Sequence, residues 1–194
     1  MSNKAEYKNS VQTKMKIASS YLALRIDRGD KFSVTDLVSL AEINRGTFYL
    51  HFKNLSDVET YIDNELGDRF RPMELAFRQT DLTKSPEVVL NKLNEILLQD
   101  IEYFKLIINA SERLSLMDRI KDIMLTSISN NFEIMKYINN YDRFVLIIRY
   151  IVGGVISTYT DWFKGLINCS LEEISKNLGY MIKKALRGYI INEY

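Results

Sequence analysis

Between Arg45 and Lys53 the chain reads Arg-Gly-Thr-Phe-Tyr-Leu-His-Phe-Lys, which puts a guanidinium, an ammonium, an imidazole, a phenol and a hydroxyl within nine residues. Such groups suit hydrogen bonding to phosphate oxygens and base edges rather than bond breaking. At about 100° per residue, with Phe48 as the inward anchor, Phe52 falls beside it and Gly46, Thr47, Leu50 and Lys53 project the opposite way. Gly46, Thr47 and Leu50 are then the candidate readers of a DNA major groove. A glycine lets the backbone approach closely, a threonine hydroxyl can bond a base or phosphate, and a leucine can pack on a thymine methyl. Arg45, Tyr49, His51 and Lys53 are placed to grip phosphates on either wall of the groove.

The elements that must hold these residues are two short helices joined by a tight turn. Ser33 can cap the first, with Asp36 three positions on, and Val34, Leu37, Val38 and Ala41 recur at helical spacing as one apolar stripe. Glu42-Ile43-Asn44 leaves no room for a strand, and Asn44 is a good cap for a helix starting at Arg45. The segment 33–52 therefore reads as a helix-turn-helix whose second helix enters the groove. Ser33, Thr35 and Asn44, at or near the helix starts, complete the expected DNA-binding set.

Several chemistries find no footing. His51 is the only histidine and lies in the reading helix, so no Cys/His or Ser/His/Asp nucleophile system is available in the C-terminal half. No HExxH, CxxC, P-loop or GxGxxG string occurs. The adjacent acids Glu172 and Glu173 need no more explanation than a helix start. No cofactor or metal is implied. The lone Cys169 excludes an internal disulfide framework and reads as a small apolar residue in a reducing compartment.

Charge is unevenly divided. Residues 1–55 carry 9 Lys+Arg against 5 Asp+Glu, whereas residues 56–194 carry 17 against 20. An excess of four positive charges is modest, so doubling it by dimerisation would matter for binding a polyanion. The N-terminal stretch lacks the apolar core of a signal peptide, and the apolar run Phe144 to Ile156 is too short to span a bilayer, so a cytoplasmic chain without membrane partners is expected.

The remainder reads as all-α, because only Pro72 and Pro86 interrupt it and alternating strand patterns are nearly absent. A helix capped by Ser56 is expected to run through Val58, Tyr61, Ile62, Leu66 and Phe70 and to kink or end at Pro72. A polar loop follows over 78–86. Ser85 as cap, Pro86 at the first position and Glu87 in the first turn then start a helix that breaks near Asp100. Further helices are expected at about 101–109, 112–136, 141–165 and 171–189, the last opening with Ser170 and Glu173 in capping-box spacing. The organisation is thus an N-terminal three-helix DNA-binding domain over 8–68 and a C-terminal helical bundle over 69–194 for dimerisation and effector binding.

The run Phe144 to Ile156 is apolar almost all round, which requires a covering surface. Tyr150, Gly153 and Gly154, with Leu178, Met181, Ile182 and Leu186 of the last helix, are the candidate interface of a homodimer. Aromatic and thioether groups at Tyr103, Phe104, Met117, Met124, Phe132, Met135, Tyr159 and Trp162 are the candidate lining of an effector pocket.

The first seventy or so residues resemble the DNA-binding domain of the TetR family of bacterial transcription regulators. The resemblance rests on Thr13-Lys14 followed by Ile17, Ala18, Tyr21 and Leu24, on Phe32-Ser-Val-Thr-Asp-Leu-Val, and on the string from Ile43 to Asn54. Where that family usually has a phosphate-binding lysine just before its fourth helix, this chain has Leu55. Arg149-Tyr-Ile-Val-Gly-Gly-Val, Asp161-Trp-Phe-Lys-Gly-Leu and Ser170-Leu-Glu-Glu-Ile resemble a TetR C-terminal domain found in regulators of dihydroxyacetone-kinase operons, among others. The resemblance implies a dimer that binds a palindromic operator, most simply as a repressor relieved by a small-molecule effector. Two alternatives stay open: a TetR-like protein acting through protein contacts without specific DNA binding, for which Leu55 is the supporting residue, and a small helical enzyme.

Overall fold

The computed structural model describes residues 2–110, 116–131, 135, 138 and 140–188. Its helices are α1 (Ser2–Arg28), α2 (Val34–Leu40), α3 (Arg45–His51), α4 (Leu55–Gln79), α5 (Glu87–Gln99), α6 (Ile101–Ala110), α7 (Leu116–Ser129), α8 (Tyr141–Phe163) and α9 (Leu171–Leu186). No strand occurs among the described residues, and the fold is all-α. Two compact units form, Met1–Leu66 with Glu102–Leu116, and Gly67–Ile101 with Met117–Tyr194. The first boundary falls inside α4. The grouping of α6 with the first unit is an association that helical periodicity does not encode.

In the first unit α1, α2 and α3 pack together around Ile17, Ala18, Leu22, Leu37, Ala41 and Phe48, all fully buried. Tyr21 meets Phe32 edge to face at 5.3 Å and donates its hydroxyl to Glu59 Oε1 at 2.6 Å, tying α1 to α4. Burial, followed by that hydrogen bond, pushes the Tyr21 phenol pKa up, so the hydroxyl stays a donor. The second unit is held by the packing of α5 and α8 against α9 and by two buried amides. Asn94 donates to Leu171 O at 2.9 Å and accepts from the Tyr159 hydroxyl at 2.6 Å, so one side chain joins α5, α8 and α9. Asn131, wholly buried, donates to Phe77 O and to Thr80 O at 3.0 Å, satisfying carbonyls at the end of α4 that the helix leaves open.

Three expectations need correction. Pro72 neither ends α4 nor marks its last turn, because the helix continues to Gln79. The missing N–H removes one hydrogen bond, while burial of Phe70, Met73 and Phe77 on one face keeps the continuation helical. Ser56 does not cap α4; Asn54 does, accepting the Asp57 N–H at 2.9 Å. Ser85 does not cap α5 either. Pro86 occupies the cap position without a side-chain bond, and the Ser85 N–H is instead taken by Asp81 O at 2.9 Å.

Candidate nucleic-acid interface

The first helix of the pair starts on a reciprocal cap. Ser33 Oγ accepts the Asp36 N–H at 3.3 Å and donates to Asp36 Oδ2, which also accepts the Ser33 N–H at 2.8 Å. These bonds hold the Asp36 carboxyl below its ordinary range. The turn after α2 is a Schellman closure, with Ile43 N–H on Val38 O at 3.0 Å and Glu42 N–H on Ser39 O at 3.2 Å. It puts Glu42 in the left-handed region at φ 48°, a position glycine normally fills. Asn44 then caps α3 by accepting the Thr47 N–H at 2.7 Å.

Phe48 is fully buried and Phe52 nearly so, with ring centroids 6.0 Å apart, and Tyr61 closes on Phe52 at 5.6 Å. That anchor turns the opposite face outward. Arg45, Gly46, Tyr49, Leu50 and Lys53 are all exposed, Leu50 at 81%. An exposed leucine between cationic and aromatic neighbours is unexplained by packing.

Several of the expected DNA-binding residues have local work as well. The Ser33 hydroxyl is engaged in its cap, and the Thr47 hydroxyl lies 3.1 Å from Asn44 Oδ1, which leaves its lone pairs as acceptors. Arg45 reaches back to donate to Thr35 Oγ1, so these two exposed residues form one unit on the α2–α3 surface. Gly46 has a role that sequence reasoning missed, because a Cβ there would stand 3.2 Å from Asn44 Oδ1 and press on the cap. His51 is half-buried, and burial, then the charge of Lys14, holds its imidazole below the ordinary range. Near neutral pH it is therefore an uncharged ring. Lys14 Nζ lies 5.7 Å from the Tyr61 ring centroid, which brings another cation to this region. Leu55 is the first residue of α4 and half-buried, while the Lys53 N–H is taken by Asp57 Oδ2 at 2.8 Å and its ammonium is left exposed.

The residues expected to form a dimer surface divide. Tyr150 and Met181 are strongly exposed, and Gly153 and Gly154 face open space, with Leu146 extending the same stripe of α8. Leu178 is half-buried. Ile182 and Leu186 turn inward, because they line an apolar cavity in the second unit. The helix α8, at 23 residues, is long and apolar enough by composition to cross a membrane, unlike its 13-residue apolar run judged alone. Its other face, with Phe144, Ile147, Ile148, Val152, Val155 and Tyr159, is core of the second unit.

Among the described residues of the expected effector set, Met124 alone lines that cavity. Tyr103 and Phe104 are buried in the first unit. Tyr159 is committed to Asn94, and Trp162 donates its indole N–H to Cys169 O at 2.9 Å, closing the turn before α9. Met135 is exposed, Phe132 lies outside the described residues, and for Met117 only the backbone is described. The cavity walls are mostly Ile, Leu and Val, which sequence reasoning passed over because aliphatics at helical spacing look the same around a cavity as in solid core.

The C-terminal region matches a TetR-type family model described as a transcriptional regulator C-terminal region, over residues 84–184. No curated protein sequence gives a significant match. Among solved structures, the fold is similar to the fatty acid degradation regulator FadR from Bacillus halodurans, at TM-score 0.61 and 16% identity over 87% of this chain and 96% of that one. It is also similar to DhaS, an activator of a dihydroxyacetone kinase operon, at TM-score 0.58 and 17% identity over 93% and 99%. A protein from Syntrophomonas wolfei described as a TetR-family transcriptional regulator matches at TM-score 0.61 and 20% identity over 94% and 98%. These matched proteins are transcriptional regulators rather than enzymes.

Proposed function

From the premise that this chain belongs to the TetR family of transcriptional regulators, we propose that it binds a palindromic DNA operator as a homodimer and represses transcription until a small molecule releases it. The observation that carries the reading is α3. Its inner face is locked by Phe48 and Phe52, and its outer face offers Arg45, Gly46, Tyr49, Leu50 and Lys53 to a major groove. In this reading residues 8–68 are the DNA-binding domain and 69–194 the regulatory one. Tyr49 and Lys53 hold phosphates, with Arg45 and Thr35 beside them, and Leu50 sets base preference.

Dimerisation is supported by the exposed stripe of Leu146, Tyr150, Gly153 and Gly154 on α8 and by Met181 on α9, an apolar surface that water would otherwise cover. Two heads one helical turn apart, about 34–36 Å, would read two half-sites. The regulators that share the fold carry names pointing to different metabolites, and one of them names an activator, so effector and sign are taken from none of them.

The test is fluorescence anisotropy with the duplex upstream of the protein's own gene, at two salt concentrations, with an unrelated duplex as competitor. Specific binding resists the competitor. Lys53→Ala should weaken binding to every duplex and reduce the salt slope by about 0.9, whereas Leu50→Ala should chiefly change sequence preference. Unchanged affinity on removal of both Tyr49 and Lys53 side chains refutes this docking. Leu55, apolar at the start of α4, favours a second reading in which the protein acts through protein contacts; equal affinity for both duplexes at both salts would support it.

A further inference from the structure

Within the second unit α4 and α7 also border a polar cleft of about 240 Å³, distinct from the apolar cavity that other residues of the same helices line. Glu74 and Arg78, one turn apart on α4, form one wall, and Asp122, Thr126 and Asn130, on successive turns of α7, form the other with Ser127 beside them. Asn131, bonded to Phe77 O and Thr80 O, pins the end of α7 to the end of α4. Charges of both signs line this cleft without pairing. Glu74 and Arg78 have the i,i+4 spacing that favours an ion pair, yet among the described residues neither they nor Asp122 enter one.

Ser127 is the second mark of a site. Its residue is only 6% exposed, and its hydroxyl has no hydrogen-bond partner among the described residues, although the oxygen is not sealed from the cleft. A helical hydroxyl in that position ordinarily turns back to a carbonyl of the preceding turn, as the equally buried Ser175 does by donating to Glu172 O at 3.0 Å. We propose that the cleft binds a small basic amino acid, whose carboxylate meets Arg78, whose two ammonium groups meet Glu74 and Asp122, and which supplies the partner that Ser127 lacks. A guanidinium fork matches a carboxylate in shape as well as charge. Two carboxylates and one guanidinium leave the walls one negative charge in excess, which a ligand of net charge +1 cancels. The volume equals about eight liquid waters, room for a chain of about nine heavy atoms such as ornithine. An acidic amino acid would set a carboxylate against Glu74 or Asp122, and a plain diamine would leave Arg78 without a counter-charge. The site stands whether or not α3 binds DNA.

The test is calorimetric titration of the full chain at low salt with ornithine, putrescine and glutamate in turn. Ornithine should bind saturably with Kd between about 10 μM and 1 mM, and the other two at least about 10-fold more weakly. Arg78→Gln should erase the preference for ornithine over putrescine, whereas Glu74→Gln should weaken both. Ser127→Ala should weaken ornithine about 5–20-fold while leaving the melting temperature of the free protein unchanged or raised, because no internal hydrogen bond is lost. No saturable heat up to about 10 mM ornithine, or equal affinity for ornithine and putrescine, overturns the proposal. So does a Ser127→Ala variant with unchanged affinity, or one that melts lower, since its hydroxyl would then be bonded within the fold.

Discussion

The helices α3 and α8 solve opposite problems. The first is seven residues long, too short to persist by itself, and it is held by a cap at one end and two buried rings on one face. The second is 23 residues long, its inner face is core, and at Ile148, Ile151, Val152 and Val155 that core borders a small void. The contrast teaches where this molecule keeps its precision and where it keeps its slack. A seven-residue helix that leaves one face exposed is over-determined on the other, whereas a long helix keeps its place beside a little unfilled space.

The largest break in that contrast should come from Phe48→Ala. Emptying a fully buried aromatic site beneath a seven-residue helix should cost about 3–5 kcal/mol in urea unfolding and abolish duplex binding. Next comes a pair of glycines. Gly179 packs α9 directly on α5, and a Cβ there would sit 3.0 Å from Glu87 Cβ and 3.3 Å from its backbone, so Gly179→Ala should cost about 1–3 kcal/mol. Gly154→Ala meets open space, so it should be neutral or raise the melting temperature slightly while weakening self-association in sedimentation. Equal behaviour of the two would refute the division of α8 and α9 into packed and open faces.

Asn44→Ala should remove about 1 kcal/mol by deleting the α3 cap, with a matching loss of affinity that is the same for all sequences. The smallest effect is on pH. Because the His51 pKa lies below its ordinary value, the ring is neutral above about pH 6.5 and gains charge only below it. If it faces a phosphate, the salt slope of duplex binding should steepen by up to about 0.9 as pH falls, and His51→Gln should abolish the change. In the free protein the sign is opposite. The unfolded chain takes up the proton first, so stability is lost as pH falls from about 6.5 through the depressed pKa.

What could be read from the residues alone was whatever is decided within a few positions. The boxes at Ser33/Asp36 and Ser170/Glu173 and the Asn44 cap are present because a cap needs only a side chain three residues from its partner. The inward register of Phe48 and Phe52 follows from helical periodicity in the same way. Local rules failed where a competitor stood nearby, as when Asn54 displaced Ser56, or where distant burial outweighed a breaker, as at Pro72. The cavity was illegible for a different reason. Empty space has no residue of its own, and its neighbours are the same aliphatics that fill any core.

The connection from α3 to α4 is three residues, Phe52, Lys53 and Asn54, and none is slack. Phe52 is buried, the Lys53 N–H is bound to Asp57, and Asn54 is the cap of α4. Mechanically the end of α3 is keyed to the first turn of α4, so a twist on either side of the linker cannot be absorbed within it.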